Sequence, residues 1–302
     1  MIALLAPSQG SQTPGMLTPW LDDPDAVATL ARWSDRTGLD LHRLGTTAGA
    51  EEIKDTAVTQ PLVVATALLA ARRLDLPADA PVAGHSVGEL AAAAIACVLD
   101  ADAAVSLAAV RGREMAAACA LEPTGMSAVL GGYPGDVLAT LERLGLDAAN
   151  RNAAGQIVAA GPLAALAQLA EEKPDRARVT PLAVAGAFHT RFMATAEEAL
   201  RAHTASIVPA DPVRPLLSNA DGSVVDTGAD ALRRLVAQVT RPVRWDACMS
   251  MLRDLGVTAV IELPPAGTLV GLVKRDLKGT ATLALKTPDD LEKAAVLIKE
   301  HA

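Results

Sequence analysis

Val82-Ala83-Gly84-His85-Ser86-Val87-Gly88-Glu89 runs directly into Leu90-Ala91-Ala92-Ala93-Ala94-Ile95. A short apolar run meets a Gly-x-Ser-x-Gly turn, and an alanine-rich helical pattern follows without a gap. This is the strand–turn–helix context of a nucleophile elbow. Two glycines allow a sharp turn and a close approach of strand and helix, leaving the serine hydroxyl raised at a helix N-terminus. The pattern alone is not distinctive. Ser86-x-x-Glu89 also spells a capping box, in which Ser86 would do no more than cap its helix. The surrounding chain has to separate the two readings.

On the N-terminal side, residues 2–6 read as an apolar strand ended by Pro7. The polar loop Ser8-Gln9-Gly10-Ser11-Gln12 follows, where open α/β sheets carry their sites. Residues 24–36 and 61–73 read as helices. The second starts with Pro61 in its first turn and is apolar almost all round, so it is expected to be buried.

On the C-terminal side, residues 102–118 read as a helix. Arg111 lies four residues after Leu107 and four before Met115, within an apolar stripe, while Arg113 and Glu114 take the polar side. An arginine in such a stripe either snorkels to solvent or holds an anion in a partly dry place. Gly112 beside it costs helix stability, which points to close packing or a ligand.

Between residues 124 and 186 the pattern changes to strand (126–130), helix (136–144), a hairpin over 148–160 with its turn near Ala154-Gly155, helix (162–172) and strand (177–184). The order β-α-β-β-α-β is that of a ferredoxin-like unit. Residues 124–186 are therefore expected to form a small subdomain inserted into a larger one made of 1–123 and 187–302. Gly186-Ala187-Phe188-His189-Thr190 then leads into a helix over 191–205. His189 sits at a strand-to-helix junction, a place that presents a base rigidly, although a core histidine fits there too. His85 is expected to be structural, and His42, His203 and His301 solvated. The α/β rhythm resumes with a strand-like 215–219, helix 229–239, strand 258–263, helix 268–277, strand 282–286 and helix 289–301.

Composition bounds the rest. The chain has 302 residues, 51% of them hydrophobic, ample for one large domain carrying a smaller one. A net charge of −8 with mixed signs argues against a nucleic-acid binder. Cys97, Cys119 and Cys248 are far apart and in no metal-ligand spacing, and read as reduced core thiols of a cytoplasmic protein. The N-terminus lacks a basic n-region and reads as a strand, and the apolar 90–110 stretch is broken by Asp100 and Asp102, so no signal peptide or membrane span is expected.

The segments Ser8 to Gln12, Gly84 to Glu89, Val110-Arg111-Gly112-Arg113-Glu114-Met115, Asn152 to Gln156, Gly186 to His189, Gln238 to Trp245, and Lys274-Arg275 after a Pro-Pro loop occur in one order. In that combination the chain closely resembles the malonyl-CoA:acyl carrier protein transacylases of bacterial fatty-acid and polyketide synthesis, from the first strand to about residue 290. The resemblance implies an α/β fold with an α/β-hydrolase-like large subdomain around a parallel sheet and an inserted ferredoxin-like small one. It implies Ser86 as nucleophile, His189 as base, and backbone N–H groups of Gln9 and Val87 as the oxyanion hole. Arg111 would hold the malonyl carboxylate, the Gln238 carbonyl would orient His189, and Asn152 would lie near the thioester. Phe188, and Val87 as the branched residue after the serine, would favour malonyl over methylmalonyl. The substrate would be malonyl-CoA and the acceptor the phosphopantetheine thiol of an acyl carrier protein, with no metal and no permanently bound cofactor. The protein is expected to be a monomer without nucleic-acid or membrane partners. Lys274, Arg275 and Arg191 would help to dock the acidic carrier.

Three positions depart from the family pattern. Ser8 stands where glycine is usual, and would be strained if that position needed a positive φ. Ala266 interrupts a usual Pro-Gly pair, and Arg241 replaces a common asparagine before Pro242. Two rival functions use the same elbow or none. A serine esterase or thioesterase would need a late histidine, and the one available, His301, lies in the final helix. A non-catalytic docking subunit would have no reason to keep Ser86, His189 and Arg111 together.

Overall fold

The computed structural model describes residues 1–153 and 155–302. Two sheets organise it. The first is parallel, with strands β1 (Ile2–Ala6), β2 (Val82–Gly84), β7 (Ala259–Glu262) and β8 (Ala281–Ala284) in the order β2-β1-β7-β8. The second is antiparallel, with β3 (Thr124–Gly131), β4 (Asp147–Ala153), β5 (Gln156–Pro162) and β6 (Ala177–Pro181) in the order β4-β5-β3-β6.

The parallel sheet is covered on both faces, which is why its strands read as unbroken apolar runs rather than alternating ones. In β1, Ile2, Leu4 and Ala6 face the larger core, and Ala3 and Leu5 face the other. The larger core lies under the helices Pro24–Thr37, Thr56–Ala71, Gly88–Ile95 and Ala101–Cys119. The second is built on the fully buried Trp245, on helix Trp245–Asp254 and on helix Thr268–Asp276. The antiparallel sheet has its own small core of Val129, Ile157 and Ala159 against Val137, Leu141, Leu166 and Leu169 from helices Pro134–Arg143 and Leu163–Glu171. The two sheets are joined where β4 bonds the segment before Trp245: Arg151 N–H donates to the Val243 carbonyl at 2.9 Å and Val243 N–H to that of Ala149 at 2.8 Å.

Several sequence-based expectations need correction. Pro61 is not in the first turn of its helix but inside it, because Asp55 accepts the Ala57 N–H and starts the helix at Thr56. Residues 215–219 form no strand, only single bridges at Leu216 and Leu217. Cys97 is exposed, at φ +61° in the turn after helix Gly88–Ile95, and so is not a core thiol. Helices Leu41–Thr46, Ala50–Ile53 and Trp245–Asp254 were not anticipated. The hairpin turn was placed on Ala154-Gly155; Ala154 lies outside the described residues, and Gly155 adopts φ +73°. Among the described residues no helix is long and apolar enough to cross a membrane.

Candidate active site

The site lies beyond the C-terminal ends of β1 and β2, where parallel sheets leave backbone and loops free to converge. The elbow after β2 is tight. A Cβ on Gly84 would stand 2.0 Å from the Gly88 carbonyl carbon, and one on Gly88 would stand 2.3 Å from the Ala6 oxygen. Strand and helix therefore approach at a separation that only glycine permits. Ser86 is forced to φ +53°, a strained conformation for a side chain-bearing residue. It is held there by its N–H, which donates to Asn219 Oδ1 at 2.8 Å.

Ser86 Oγ lies 2.7 Å from His189 Nε2. His189 Nδ1 lies 2.8 Å from the Gln238 carbonyl, which accepts only. Nδ1 thus carries the proton, and Nε2 is left to accept the serine O–H. Burial, then the nearby Arg111 cation, push the imidazole down to about 3. A neutral, correctly tautomerised histidine faces the serine. Among the described residues no carboxylate stands behind this histidine; a main-chain carbonyl takes that place.

Arg111 is only 2% exposed, so it does not snorkel. Its helix packs against helix Thr56–Ala71 through Gly112, where a Cβ would lie 2.6 Å from the Thr56 oxygen. That approach brings Gln60 Oε1 to 2.7 Å from Arg111 Nη1. Gln238 Oε1 accepts from Nη2 at 2.8 Å, and the same Nη2 reaches 3.4 Å from Ser86 Oγ. Burial lowers the guanidinium to about 10, against the pull of Glu89, so it stays charged at neutral pH. Both amide oxygens accept only single N–H bonds, which fixes the plane of the fork and leaves other N–H groups for a ligand.

These groups open into a cavity of about 380 Å³, polar at Gln9, Gln60, His85, Asn150 and Asn152 and apolar at Met115, Met126, Val158, Val184 and Phe188. Among the described residues no acceptor takes the backbone N–H of Gln9 or of Val87. Ser8 has no positive φ, so the strain feared from its replacing glycine is absent; Gly10 takes φ +102° instead. The Val87 side chain does not line the cavity but is buried in the larger core. Asn152 Oδ1 meets His85 Nε2 at 2.8 Å, and the His85 ring packs 5.5 Å from Trp245. His301 bonds Thr258 ahead of β7, at the opposite end of the sheet.

Three residues in the site were not singled out as site residues from the sequence. Gln60 is a polar residue in a helix apolar almost all round, a signal that could have marked it. Asn219 closes an apolar run with nothing local to distinguish it. Glu89 was read as the partner of Ser86 in a capping box, but Val87 is the N-cap residue and makes no side-chain capping bond, and Glu89 points into the protein. Of the other departures, Ala266 does not line the cavity; the Arg241 side chain is exposed, but its backbone N–H donates at 3.2 Å to the Gln238 carbonyl that also faces His189 Nδ1. Arg191 pairs with Asp147 at 3.4 Å and Arg275 with Gln156 at 2.7 Å, while Lys274 is exposed.

Residues 5–298 match the family described as "Acyl transferase domain". The chain is 60% identical to the malonyl CoA-acyl carrier protein transacylase of Mycobacterium tuberculosis, over 98% of this chain and 100% of that protein. It is 33% identical to the protein of the same name in Escherichia coli, over 98% of this chain and 99% of that one. Among solved structures it resembles the crystal structure of MCAT from Mycobacterium tuberculosis with a TM-score of 0.94 and 58% identity, covering 98% and 99% of the two chains. It also resembles a malonyl-transacylase solved in complex with its type II PKS acyl-carrier protein, with a TM-score of 0.91 and 28% identity over 98% and 99% of the chains. The chain belongs to the acyl transferase family, among its malonyl CoA-acyl carrier protein transacylases.

Proposed function

We propose that this enzyme moves a malonyl group from malonyl-CoA to the phosphopantetheine thiol of an acyl carrier protein by way of a malonyl-Ser86 ester. The observation that carries the reading is a buried arginine fork within 3.4 Å of the same serine oxygen that a neutral histidine contacts. A general esterase has no use for that cation; an acyl group ending in a carboxylate does.

In the first half-reaction Ser86 Oγ attacks the thioester carbonyl carbon as His189 Nε2 takes its proton. The developing oxyanion is received by the N–H groups of Gln9 and Val87, each such donor being worth about 3 kcal/mol in comparable sites. The C–S bond breaks, and the CoA sulfur leaves with the proton from His189. In the second half-reaction the carrier thiol gives its proton to His189 and attacks the ester, and Ser86 recovers its proton as its C–O bond breaks. Arg111 holds the malonyl carboxylate through both, the Gln238 carbonyl keeps His189 in one tautomer, and Asn152 lies beside the thioester. Phe188, on the apolar side of the cavity, crowds a branching methyl.

We read residues 1–123 and 187–302 as an α/β-hydrolase-like subdomain and 124–186 as an inserted ferredoxin-like one, supported by the β-α-β-β-α-β order and the strand order β4-β5-β3-β6. Lys274, Arg275 and Arg191 supply basic charge for docking an acidic carrier on an otherwise acidic enzyme. The test of the function is to incubate the protein with malonyl-CoA alone and then with carrier. A malonyl mass increment on the Ser86 peptide, discharged to the carrier faster than to water, supports it; no increment on Ser86 defeats it.

A further inference from the structure

Glu89 is 4% exposed, and neither of its oxygens serves the helix it belongs to. Oε1 accepts from the Asn219 backbone N–H at 2.5 Å, and Oε2 accepts from Gln238 Nε2. Both contacts cross to segments more than a hundred residues away along the chain. Asn219 and Gln238 are in turn the two residues that hold the reacting groups. Asn219 Oδ1 accepts the Ser86 N–H and its Nδ2 donates to the Gly84 carbonyl at 2.8 Å, clasping the strained elbow from outside. Gln238 offers Oε1 to Arg111 and its main-chain carbonyl to His189.

An amide has one accepting end and one donating end. If the Gln238 side chain turned over, its NH₂ would face the Arg111 guanidinium, donor against donor, and its oxygen would face the Glu89 carboxylate, acceptor against acceptor. Burial pushes the Glu89 carboxyl up to about 8, but its two oxygens each face an N–H donor, from Asn219 and from Gln238, and accepting at both permits only the orientation in which Oε1 meets Arg111. We propose that Glu89 is a positioning residue which, through Gln238 and Asn219, fixes the carboxylate clamp Arg111 and the base His189 in one register with Ser86. The proposal rests on the malonyl-transfer reading above and adds to it a buried carboxylate that never touches substrate. Glutamine at this position has the same shape but one acceptor, so its NH₂ must oppose either the Asn219 N–H or the Gln238 NH₂. Aspartate keeps the charge but, one methylene shorter, withdraws from Gln238.

The experiment compares the full chain with its Glu89→Gln and Glu89→Asp variants by the rate of Ser86 acylation from malonyl-CoA and from acetyl-CoA. The ratio of the two rates is the readout, because a loss of folded protein lowers both rates alike. The ratio is expected to fall at least about tenfold in a folded variant, and to be insensitive to Glu89→Gln once Arg111→Ala is present. A ratio unchanged in both variants overturns the proposal. The second readout is the downfield proton resonance of His189 Nδ1–H in nitrogen-labelled protein, expected to shift or broaden in the variants and, if unmoved, overturning the link to His189. This arm needs no turnover. Failure of wild-type Ser86 to take up malonyl would therefore defeat the functional reading while the resonance still decided the positioning one.

Discussion

Arg111 Nη2 stands 3.4 Å from Ser86 Oγ, although Ser86 lies in the turn after β2 and Arg111 on helix Ala101–Cys119, and among the described residues neither pairs with a carboxylate. A full positive charge is thus kept beside the Ser86 hydroxyl, in a place that burial makes unfavourable for it. The arrangement is stable because two neutral amides solvate the fork. In the proposed function it is completed by the carboxylate of the acyl group.

Removing that charge separates the substrates. In Arg111→Ala, malonyl transfer to Ser86 is expected to fall on the order of 10²–10³-fold and acetyl transfer by less than about tenfold. Arg111→Lys is expected to lie between, since a point charge cannot form the two-pronged contact. Single-turnover acylation with the two CoA esters measures this. An equal loss with both would remove Arg111 as the clamp.

The pH dependence follows from His189. Burial and the Arg111 cation hold its imidazole at about 3 in the free enzyme, so it stays an acceptor well into acid. The acid limb for acylation at low malonyl-CoA is expected well below the ordinary histidine range. At saturating malonyl-CoA it is expected at higher pH, because the bound carboxylate offsets the Arg111 field. Stability has the same origin. The unfolded chain binds a proton here near pH 6.5, at which the folded chain binds none, so stability falls as pH drops from about 6.5 toward 3. Between pH 7 and 5 the cost is about 2 kcal/mol from this residue. Urea unfolding at the two pH values, for the wild type and His189→Asn, checks it. An equal pH effect in both proteins would contradict it.

Gly84→Ala is expected to lower stability by about 3 kcal/mol or more and to abolish Ser86 labelling, because its Cβ would meet backbone 2.0 Å away. Gly271, which has open space at its Cβ, is the control, and Gly271→Ala should leave the denaturation midpoint no lower than wild type. A Gly84→Ala protein with wild-type midpoint and labelling would show that the elbow is not so tight.

Phe188→Ala should widen the apolar side of the cavity. Competition between malonyl-CoA and methylmalonyl-CoA for Ser86 is expected to shift toward the methylated substrate, with a stability loss of about 3 kcal/mol for the truncated, buried ring. An unchanged ratio would assign the discrimination elsewhere. It would not fall to the Val87 side chain, which lies in the core.

Much of this molecule is local and was therefore legible. The two glycines of the elbow, the β-α-β-β-α-β order and the apolar runs of the parallel strands are short-range patterns, set by steric limits and periodicity within a few residues. Arg111 was marked by a charge on an apolar stripe. What lay beyond reach was which partner each polar group finds. Ser86 as cap or as partner of a base was undecided by its own helix, because the histidine that settles its hydrogen bond is 103 residues away. Glu89 matched a local capping rule, yet burial beside Asn219 and Gln238 gave its carboxylate two donors that the helix terminus did not provide. The sequence determined where the chain turns and which faces are buried. The tertiary structure alone decided the hydrogen-bond partners of the buried polar groups, because desolvation obliges each to find one, and the nearest in space are distant along the chain.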